Sequence, residues 1–378
     1  MTSTPKPLSA AEIRAAFGAS DALTVGIEEE LMLLDPETLD LAPLSEELLA
    51  RTGGDPRFKL ELPAAQLEIM SPPLASVPEA ASFLARARCD LATAAGGLAR
   101  LACSGVHPFA ATEGEFNRGE RYDRTLGEYG AIARRQLVFA LQVHVAVPGA
   151  ERALAVYNAM RSYLPELLAL SANAPFHAGA DTGLASVRPK IGEQLPRQGV
   201  PPAIQSWEAY AAGLAWGARA GVVPEPRVWW WELRPHPLHG TLEVRVPDAQ
   251  TTVDEAVAVM AVVHSLAAWL AARHDSGELR PVAPTWRIEE NRWSALRHGL
   301  HGDLADLETG ERVATRDRLG ALLDALEPVA AELGCSAELG HARRLADENG
   351  ADRQREAAGD GDLRELVDWL AARYLPDP

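Results

Sequence analysis

Several short segments of this chain alternate apolar and ionisable residues, and this alternation is the feature that most restricts its fold. Residues 242–246 show it simply, because Glu243 and Arg245 alternate with three aliphatic residues. Successive side chains of a β-strand point to opposite faces, so such a segment fits a sheet with one apolar and one polar face. The pattern predicts strands at residues 25–34, 58–62, 66–70, 101–105, 138–147, 228–234 and 241–246.

Helical segments separate most of these strands. Ser76 and Thr252 are each followed three residues later by glutamate, a spacing that is typical of a capping box at a helix start. The two helices are expected to extend to about residue 100 and through the apolar run 256–272. Strands joined by both hairpins and helical crossovers predict an α+β fold, with an antiparallel or mixed sheet covered by helices. No linker is evident, so residues 1–378 are predicted to form a single domain.

The composition argues against several classes of protein. A formal net charge of −17 disfavours binding to nucleic acid, which requires a basic surface. The apolar run 256–272 is shorter than the ~20 residues that a bilayer requires, so we expect a buried helix and no membrane span. Three cysteines without disulfide or metal spacing, and an N-terminus without an apolar signal segment, indicate a protein of the reducing cytoplasm.

Acidic residues recur on the polar faces of the predicted strands. Glu28 and Glu30 share one face of the first strand, whereas Glu29 points to the other. Two like charges on one face repel each other unless a cation lies between them or the face is solvated, and this strand alone leaves both alternatives open. Polar residues in equivalent positions on or beside other predicted strands are Glu61, Glu68, His144 and Glu243.

These residues together predict the floor of a cleft that binds divalent metal ions. Carboxylates with one imidazole suit Mg²⁺ or Mn²⁺ better than Zn²⁺. Several carboxylates around more than one such ion are typical of sites that transfer phosphoryl groups. The sequence contains neither a Walker A motif nor a Gly-x-Gly-x-x-Gly segment after a strand, so nucleotide binding is expected to depend on metal ions and arginines.

An ordered set of short motifs resembles a known family. In chain order, the motifs include Thr24-Val-Gly-Ile-Glu-Glu-Glu-Leu, Gln66-Leu-Glu-Ile-Met-Ser-Pro, Gly105-Val-His-Pro-Phe-Ala, Gln142-Val-His-Val, Leu170-Ser-Ala-Asn-Ala-Pro-Phe, Asp181-Thr-Gly, Ser186-Val-Arg, Thr241-Leu-Glu-Val-Arg-Val-Pro-Asp and Glu290-Asn-Arg-Trp. As an ordered set they are similar to the motifs of the bacterial carboxylate–amine ligases, also called glutamate–cysteine ligase type 2-like proteins. The resemblance extends from about residue 23 to the C-terminal helices.

The resemblance implies a glutamine-synthetase-like fold whose sheet forms a catalytic cleft. It implies an ATP- and Mg²⁺-dependent ligase that activates a carboxylate as an acyl phosphate and joins it to an amine. The metal ligands that it implies are Glu28, Glu30, Glu61, Glu68, His144 and Glu243. The arginines expected to hold the transferred phosphate or the substrate carboxylate are Arg245, Arg188 and Arg234. Further candidates for nucleotide or substrate contact are Arg197, Arg297, Asn173, Thr182 and Ser186.

The substrates and the assembly stay open at this point. Glutamate and cysteine are the namesake substrates of the family, and the long aperiodic segment 171–202 is expected to help select the substrates of this chain. A metal-dependent amide or phosphate-ester hydrolase and a degenerate binding or regulatory protein are the alternative functions on the same scaffold. An exposed sheet edge favours a homodimer. His236 and His239, in a turn, are not expected to be metal ligands. The tryptophans at 229–231 are expected to pack against the sheet, with a contact of one of them to adenine or to the acceptor as the alternative.

Overall fold

A seven-stranded antiparallel sheet forms the centre of the fold in the computed structural model, which describes residues 7–20, 22–223, 228–359 and 361–376. Its strands are β1 (Val25–Leu34), β2 (Phe58–Leu60), β3 (Gln66–Met70), β4 (Arg100–Ala102), β5 (Leu141–Val145), β8 (Leu233–His236) and β9 (Thr241–Val244). The strand order is β2-β3-β1-β5-β9-β8, and β4 also pairs with β1. Two small hairpins lie outside this sheet, one formed by β6 (Phe176–His177) and β7 (Ala180–Asp181), the other by β10 (Asp303–Ala305) and β11 (Arg312–Ala314).

Helices surround the sheet and fill most of the C-terminal half. They are α1 (Ala10–Phe17), α2 (Ser45–Arg51), α3 (Val77–Ala95), α4 (Glu120–Tyr129), α5 (Ala131–Arg134), α6 (Ala150–Met160), α7 (Leu164–Ser171), α8 (Arg188–Gly192), α9 (Trp207–Arg219), α10 (Val253–Asp275), α11 (Thr285–His298), α12 (Thr315–Glu332), α13 (Ser336–Asp347), α14 (Gly350–Ala358) and α15 (Leu363–Ala372). Single turns of 3₁₀ helix occur at Arg161–Tyr163 and Gly299–His301. The α+β class expected from the sequence is confirmed.

Helix α10 lies at the centre of the helical layer and packs against β5, α3, α6, α12 and α13. Thr252 and Glu255 form the capping box that the sequence predicts, and it satisfies backbone N–H groups at the helix start. Within the described residues, α10 is the one helix with the length and hydropathy to cross a membrane, but 83% of its most apolar window is buried inside the fold. The main hydrophobic core around it contains both Ile13 of α1 and Leu366 of α15.

Some predicted elements differ from the observed ones. The strand expected at 228–234 begins only at Leu233, and it includes Pro235, which is tolerated because β8 is an edge strand. Helices α6 and α7 are separated by the 3₁₀ turn that precedes Pro165. The polar helix α14 is joined to the rest of the fold by its buried Gln354, which donates to Asn173 Oδ1 at 2.7 Å.

Candidate active site

The register of the sheet brings the predicted acidic residues onto one face. Glu30 of β1 lies opposite Glu68 of β3, and His144 of β5 lies opposite Glu243 of β9. Directly opposed residues of an antiparallel pair share a face, so side chains from four strands converge there. Glu61 follows β2 and reaches the same side. The alternation expected for β1 is also observed, because Glu28 and Glu30 face this side and Glu29 is fully buried on the other.

Glu28, His144 and Glu243 form the most compact group of potential metal ligands among the described residues. One ligand atom from each lies within 4.8 Å of the other two. His144 Nε2 is 3.3 Å from Glu28 Oε1 without forming a hydrogen bond, and Thr241 Oγ1, 2.9 Å from Nδ1, holds the other side of the ring. Burial lowers the pKa of His144, but the carboxylates of Glu243 and Glu28 outweigh burial and raise it overall. The group therefore combines two carboxylates with an imidazole nitrogen that is available to a ligand.

Three further carboxyl groups in this cleft are difficult to ionise without a cation. Burial, followed by the charge of Glu61, raises the pKa of Glu30 to about 7. Burial, reinforced by the neighbouring carboxylates, raises the pKa of Glu68 well above its ordinary value and also raises that of Glu61. Glu30 accepts hydrogen bonds from Ala140 N at 2.6 Å and from Gln142 Nε2 at 3.1 Å. Bound divalent cations would relieve the repulsion, so the donor set fits an oxygen-preferring metal ion.

Two of the predicted arginines, Arg234 and Arg245, form ion pairs with Glu243. Arg234 forms a bidentate ion pair with the buried Glu243, with Nε–Oε2 at 2.6 Å and Nη2–Oε1 at 2.9 Å. Arg245 Nη1 donates to both Glu243 and Gln142. Burial opposes ionisation of Glu243, but Arg234 and Arg245 hold the pKa of this carboxyl well below its ordinary value. Both guanidinium groups line the same cleft as Glu28 and Glu30.

The third predicted arginine, Arg188, is fixed by a buried carboxylate that the sequence argument did not single out. Arg188 Nε donates to Asp248 Oδ1 at 2.6 Å, and its Nη2 donates to the carbonyl of Val246. Asp248 also accepts from Ser186 Oγ at 3.0 Å and from Asn173 N at 2.7 Å. Ser186 and Asn173 are fully buried and bonded within the protein, and neither lines the cleft, so the structure places them behind Arg188.

The other residues predicted to contact nucleotide or substrate, Thr182, Arg297 and Arg197, lie at or beyond the edge of the site. Thr182 Oγ1 donates to the Pro175 carbonyl at 2.8 Å within a turn, and the exposed Arg297 donates to the carbonyl of Gly183. Neither belongs to the residues that line the acidic cleft. Arg197 is nearer, because its guanidinium lies 5.5 Å from the ring centroid of Trp230 on the cleft wall. Its Nη2 donates to Tyr129 Oη at 2.9 Å.

Two connected cavities make up the site. The acidic cleft, about 790 Å³ in volume, contains Glu28, Glu30, Glu61, Glu68, Gln142, Arg234 and Arg245 in its lining. A side chamber of about 200 Å³ shares Glu30, Glu61 and Arg245 with it and adds Gln66, Gln136, Val138, Arg188 and Leu195. The exposed helix α4 borders both cavities, where Tyr122 Oη donates to the Leu60 carbonyl at 2.9 Å and Arg121 lies 3.8 Å from Glu61.

The structure adds residues to the site that sequence reasoning did not assign to it. Gln66 Oε1 is buried at the wall of the side chamber and has no hydrogen-bond partner. Its position two residues before Glu68 on the same strand face was the available signal. Lys59 lies opposite Glu68 and also lines the acidic cleft. Lys59 lies two residues before Glu61, so side-chain alternation in the predicted strand 58–62 was the available signal for it as well.

Comparisons with solved structures agree with this fold. A crystal structure of a glutamate–cysteine ligase from Francisella tularensis in complex with AMP matches 94% of this chain and 89% of its own, with a TM-score of 0.67 at 12% identity. A bifunctional glutathione synthetase from Pasteurella multocida matches 96% of this chain and 53% of its own, with a TM-score of 0.68 at 14% identity. At such identities the likeness shows the fold alone.

Relatives found by sequence share a higher identity with this chain than these two structures do. A protein of Rubrobacter xylanophilus named "Putative glutamate--cysteine ligase 2-3" is 44% identical over 363 residues, which cover 94% of this chain and 98% of that protein. A protein of Mycobacterium ulcerans named "Putative glutamate--cysteine ligase 2" is 35% identical over 95% of this chain and 93% of its own length. The fold, the acidic cleft and these relatives define an ATP-dependent carboxylate–amine ligase of the glutamate–cysteine ligase type. The model of glutamate–cysteine ligase family 2 matches residues 24–368, and the chain belongs to this family.

Proposed function

We propose that this protein uses ATP and Mg²⁺ to join a carboxylate to an amine through an acyl phosphate, with release of ADP and phosphate. The observation that supports this most strongly is the convergence of Glu28, Glu30, Glu68, His144 and Glu243 from four adjacent strands onto one cleft face. A solvated polar face does not explain why the pKa values of the buried Glu30 and Glu68 and of the half-buried Glu61 are all raised. A cleft that binds cations and phosphates accounts for them.

Each part of the site has a proposed role. Glu28, His144 and Glu243 hold one Mg²⁺ position, while Glu30, Glu61 and Glu68 supply carboxylates for a neighbouring one. Bound Mg²⁺ supplies neutralisation of phosphate charge, and Mn²⁺ is an acceptable substitute. Arg245 and Arg188, which border both the carboxylates and the side chamber, are placed to bind the transferred phosphate or the substrate carboxylate. Gln66 Oε1, buried without a partner, is placed to accept a hydrogen bond from the incoming amine.

In the proposed reaction, each bond that forms is matched by one that breaks. A substrate carboxylate oxygen bonds to the terminal phosphorus of ATP, and the bond from that phosphorus to the ADP oxygen breaks. The amine nitrogen then bonds to the acyl carbon, loses a proton, and the carbon–oxygen bond to phosphate breaks. Glutamate and cysteine are the first substrate pair to test, because the relatives carry the name of that ligation. We further propose that the protein acts on small molecules in the cytoplasm.

A screen for ADP release tests the function. The protein is incubated with ATP, MgCl₂ and a grid of amino acids and amines, and the mass of any product identifies the bond formed. ADP is expected to accumulate fastest where one carboxylate and one amine are both present, and the product mass should equal their sum minus one water. Metal-dependent cleavage of an amide without ATP would instead establish a hydrolase, and ATP binding without any turnover would establish a binding protein.

We expect Mg²⁺ to stabilise the protein more at pH 8 than at pH 6. The pKa of Glu30 is raised from 4.5 to about 7, so without metal the folded state binds a proton more strongly than the unfolded state. The metal-free protein therefore loses stability as the pH rises from 4.5 to about 7. Mg²⁺ requires the ionised carboxylates, so protons compete with it at the lower pH. Melting temperatures with and without MgCl₂ measure the effect, and an equal increase at both pH values would contradict it.

Asp248→Asn is expected to lower ATP turnover by roughly 10- to 100-fold, because a small displacement of a substrate-binding group has effects of that size. The substitution removes the charge that fixes Arg188 Nε at 2.6 Å while keeping the size of the side chain. ATP binding and the fraction of folded protein, both measured at the assay temperature, should change much less than turnover. The exposed Asp347→Asn serves as control. A loss of turnover no larger than the loss of folded protein would show that Asp248 has only a structural role.

A further inference from the structure

A third cavity, of about 350 Å³, lies in the helical layer and is separate from the acidic cleft and the side chamber. Its lining comes from the end of α6 and the 3₁₀ turn after it, the C-terminal half of α10, the loop 279–284, the start of α11, the β10–β11 turn and α12. None of its described lining residues lines either cavity of the active site. Its volume is within the range of about 300–1,000 Å³ that is typical of small-molecule sites.

Four arginines line this cavity, in a chain whose net charge is −17. They are Arg273, Arg280, Arg287 and Arg318, and the acidic residues of the described lining are Asp306 and Glu308. Within the described residues, each of these guanidinium groups uses one or two of its N–H donors in hydrogen bonds to the protein. A guanidinium group has five such donors, so the others can bind an anionic group that enters the cavity.

Three of the four guanidinium charges lie near one hydroxyl group, that of Tyr163. Burial, followed by the charge of Glu166, raises the pKa of this phenol. The charges that act against this shift are those of Arg280, Arg273 and Arg318. Arg318 is also fixed in place, because its Nε donates to the buried Glu166 at 3.2 Å. An anion beside the Tyr163 hydroxyl would therefore be close to three cations at once.

Much of the remaining cavity wall is apolar or aromatic. Trp269 and Tyr163 meet edge to face, with ring centroids 6.1 Å apart, and the Arg273 guanidinium lies 4.8 Å from the Trp269 ring centroid. Further apolar lining residues include Leu270, Leu279, Pro281, Val282, Pro284 and Leu307. A ligand that fills this cavity needs an apolar body to pack against the wall and an anionic group for the arginines.

We propose that this cavity is a binding site for a small aromatic carboxylate, separate from the active site. A planar carboxylate matches the fork of N–H donors on a guanidinium group, and a flat ring can pack beside Trp269 and Tyr163. Inorganic phosphate would use the arginines alone and leave the apolar wall without a partner. The site is independent of the proposed ligase reaction, because it uses none of the residues assigned to that reaction.

Calorimetric titration of indoleacetate into the full-length protein, without ATP or metal, tests the site. The dissociation constant is expected to be about 1 mM or tighter, an affinity that ligands of this size commonly reach. Indoleacetamide has nearly the same shape but no charge, and inorganic phosphate has no apolar body, so each should bind at least roughly 10-fold more weakly. Equal binding of the two indole compounds would overturn the proposal, and so would the absence of measurable indoleacetate binding.

Single substitutions show whether the ligand occupies this cavity. Arg273→Gln is expected to weaken indoleacetate binding by roughly 10-fold, and the more exposed Arg280→Gln by roughly 3-fold, because each removes a charged donor. Neither side chain is buried, so both variants should fold. Arg86→Gln, which changes an exposed arginine on α3 outside the cavity, is the matched control and should bind as the unmodified protein does.

Unchanged indoleacetate affinity in both cavity variants would overturn the proposal. Saturating MgATP is expected to leave the affinity unchanged, whereas competition would place the ligand in the active cleft and would also overturn it. ATP turnover of Arg273→Gln should equal that of the unmodified protein, because Arg273 does not line the active site. The titration requires no ligase activity, so a failed ligase screen and a failed titration are independent results.

Discussion

Glu28→Gln and Glu30→Gln are each expected to reduce Mg²⁺-dependent ATP turnover on the order of 1,000-fold, because each removes a carboxylate charge worth several kcal/mol in stabilising phosphoryl transfer. Glu28 lies 3.3 Å from His144 Nε2, and Glu30 accepts hydrogen bonds from Ala140 N and Gln142. Glutamine has nearly the same size as glutamate, so the substitutions change charge more than shape. ADP release at saturating ATP measures the effect, and Mg²⁺ titration shows whether metal affinity falls with it.

The control for this experiment is Glu332→Gln, an exposed residue at the end of α12. It should retain full turnover. Glu30→Gln is also expected to keep or gain thermal stability without metal, since burial raises the pKa of Glu30 and removing this carboxylate lowers the cost of burial. Glu28→Gln is expected to lose some stability, because burial raises the pKa of Glu28 but the neighbouring His144 outweighs burial and lowers it overall. Retention of full turnover by either Glu28→Gln or Glu30→Gln would show that the cleft face of β1 does not bind the catalytic cation.

Glu29→Gln is expected to destabilise the fold by about 3–5 kcal/mol, which is the usual cost of removing one partner from a buried ion pair. Glu29 and Arg88 are both fully buried and form a bidentate pair, with Nε–Oε2 at 2.8 Å and Nη2–Oε1 at 2.6 Å. Arg88 also donates to the carbonyls of Gln250, Thr251 and Tyr374, so it connects β1 to distant parts of the chain. For a protein of 378 residues, this loss corresponds to a decrease in melting temperature of about 5 °C.

Below the melting temperature of the Glu29→Gln variant, the folded fraction should keep Mg²⁺-dependent turnover, because Glu29 faces away from the cleft. The double variant Glu29→Leu/Arg88→Met is expected to recover part of the lost stability, since replacing both partners leaves no unpaired buried charge. Calorimetry and ADP release on the same samples separate the two effects. A stable Glu29→Gln variant that has lost turnover would mean that Glu29 acts in the site.

The sequence predicts the strand face of Glu28, Glu29 and Glu30 but not the partner of Glu29. Side-chain alternation assigns Glu28 and Glu30 to one face and Glu29 to the other, and the structure agrees. Alternation says nothing about what Glu29 contacts on the other face. The structure shows that it pairs with Arg88, which is 59 residues away in the chain. No local pattern predicts this partner, because the contact depends on how α3 packs against the sheet.

The partner of Arg188, one of the predicted arginines, could not be predicted from the sequence either. The motifs that contain Ser186, Arg188 and Asp248 were visible in the sequence, but their roles were assigned one motif at a time. The fold joins them, because Asp248 accepts hydrogen bonds from Ser186 and Arg188 across about sixty residues of chain. Ser186 and Arg188 therefore share one buried carboxylate, a contact that no single motif predicts.

By itself, the sequence determined the class of fold, most strands of the central sheet and the face of each of these strands on which its acids lie. These properties repeat with a period of two residues and depend only on local backbone geometry. Only the tertiary structure decided which acidic residues lie opposite each other and which arginines form ion pairs with them. Strand register and helix packing are set by contacts between residues far apart in the chain, so no short segment contains that information.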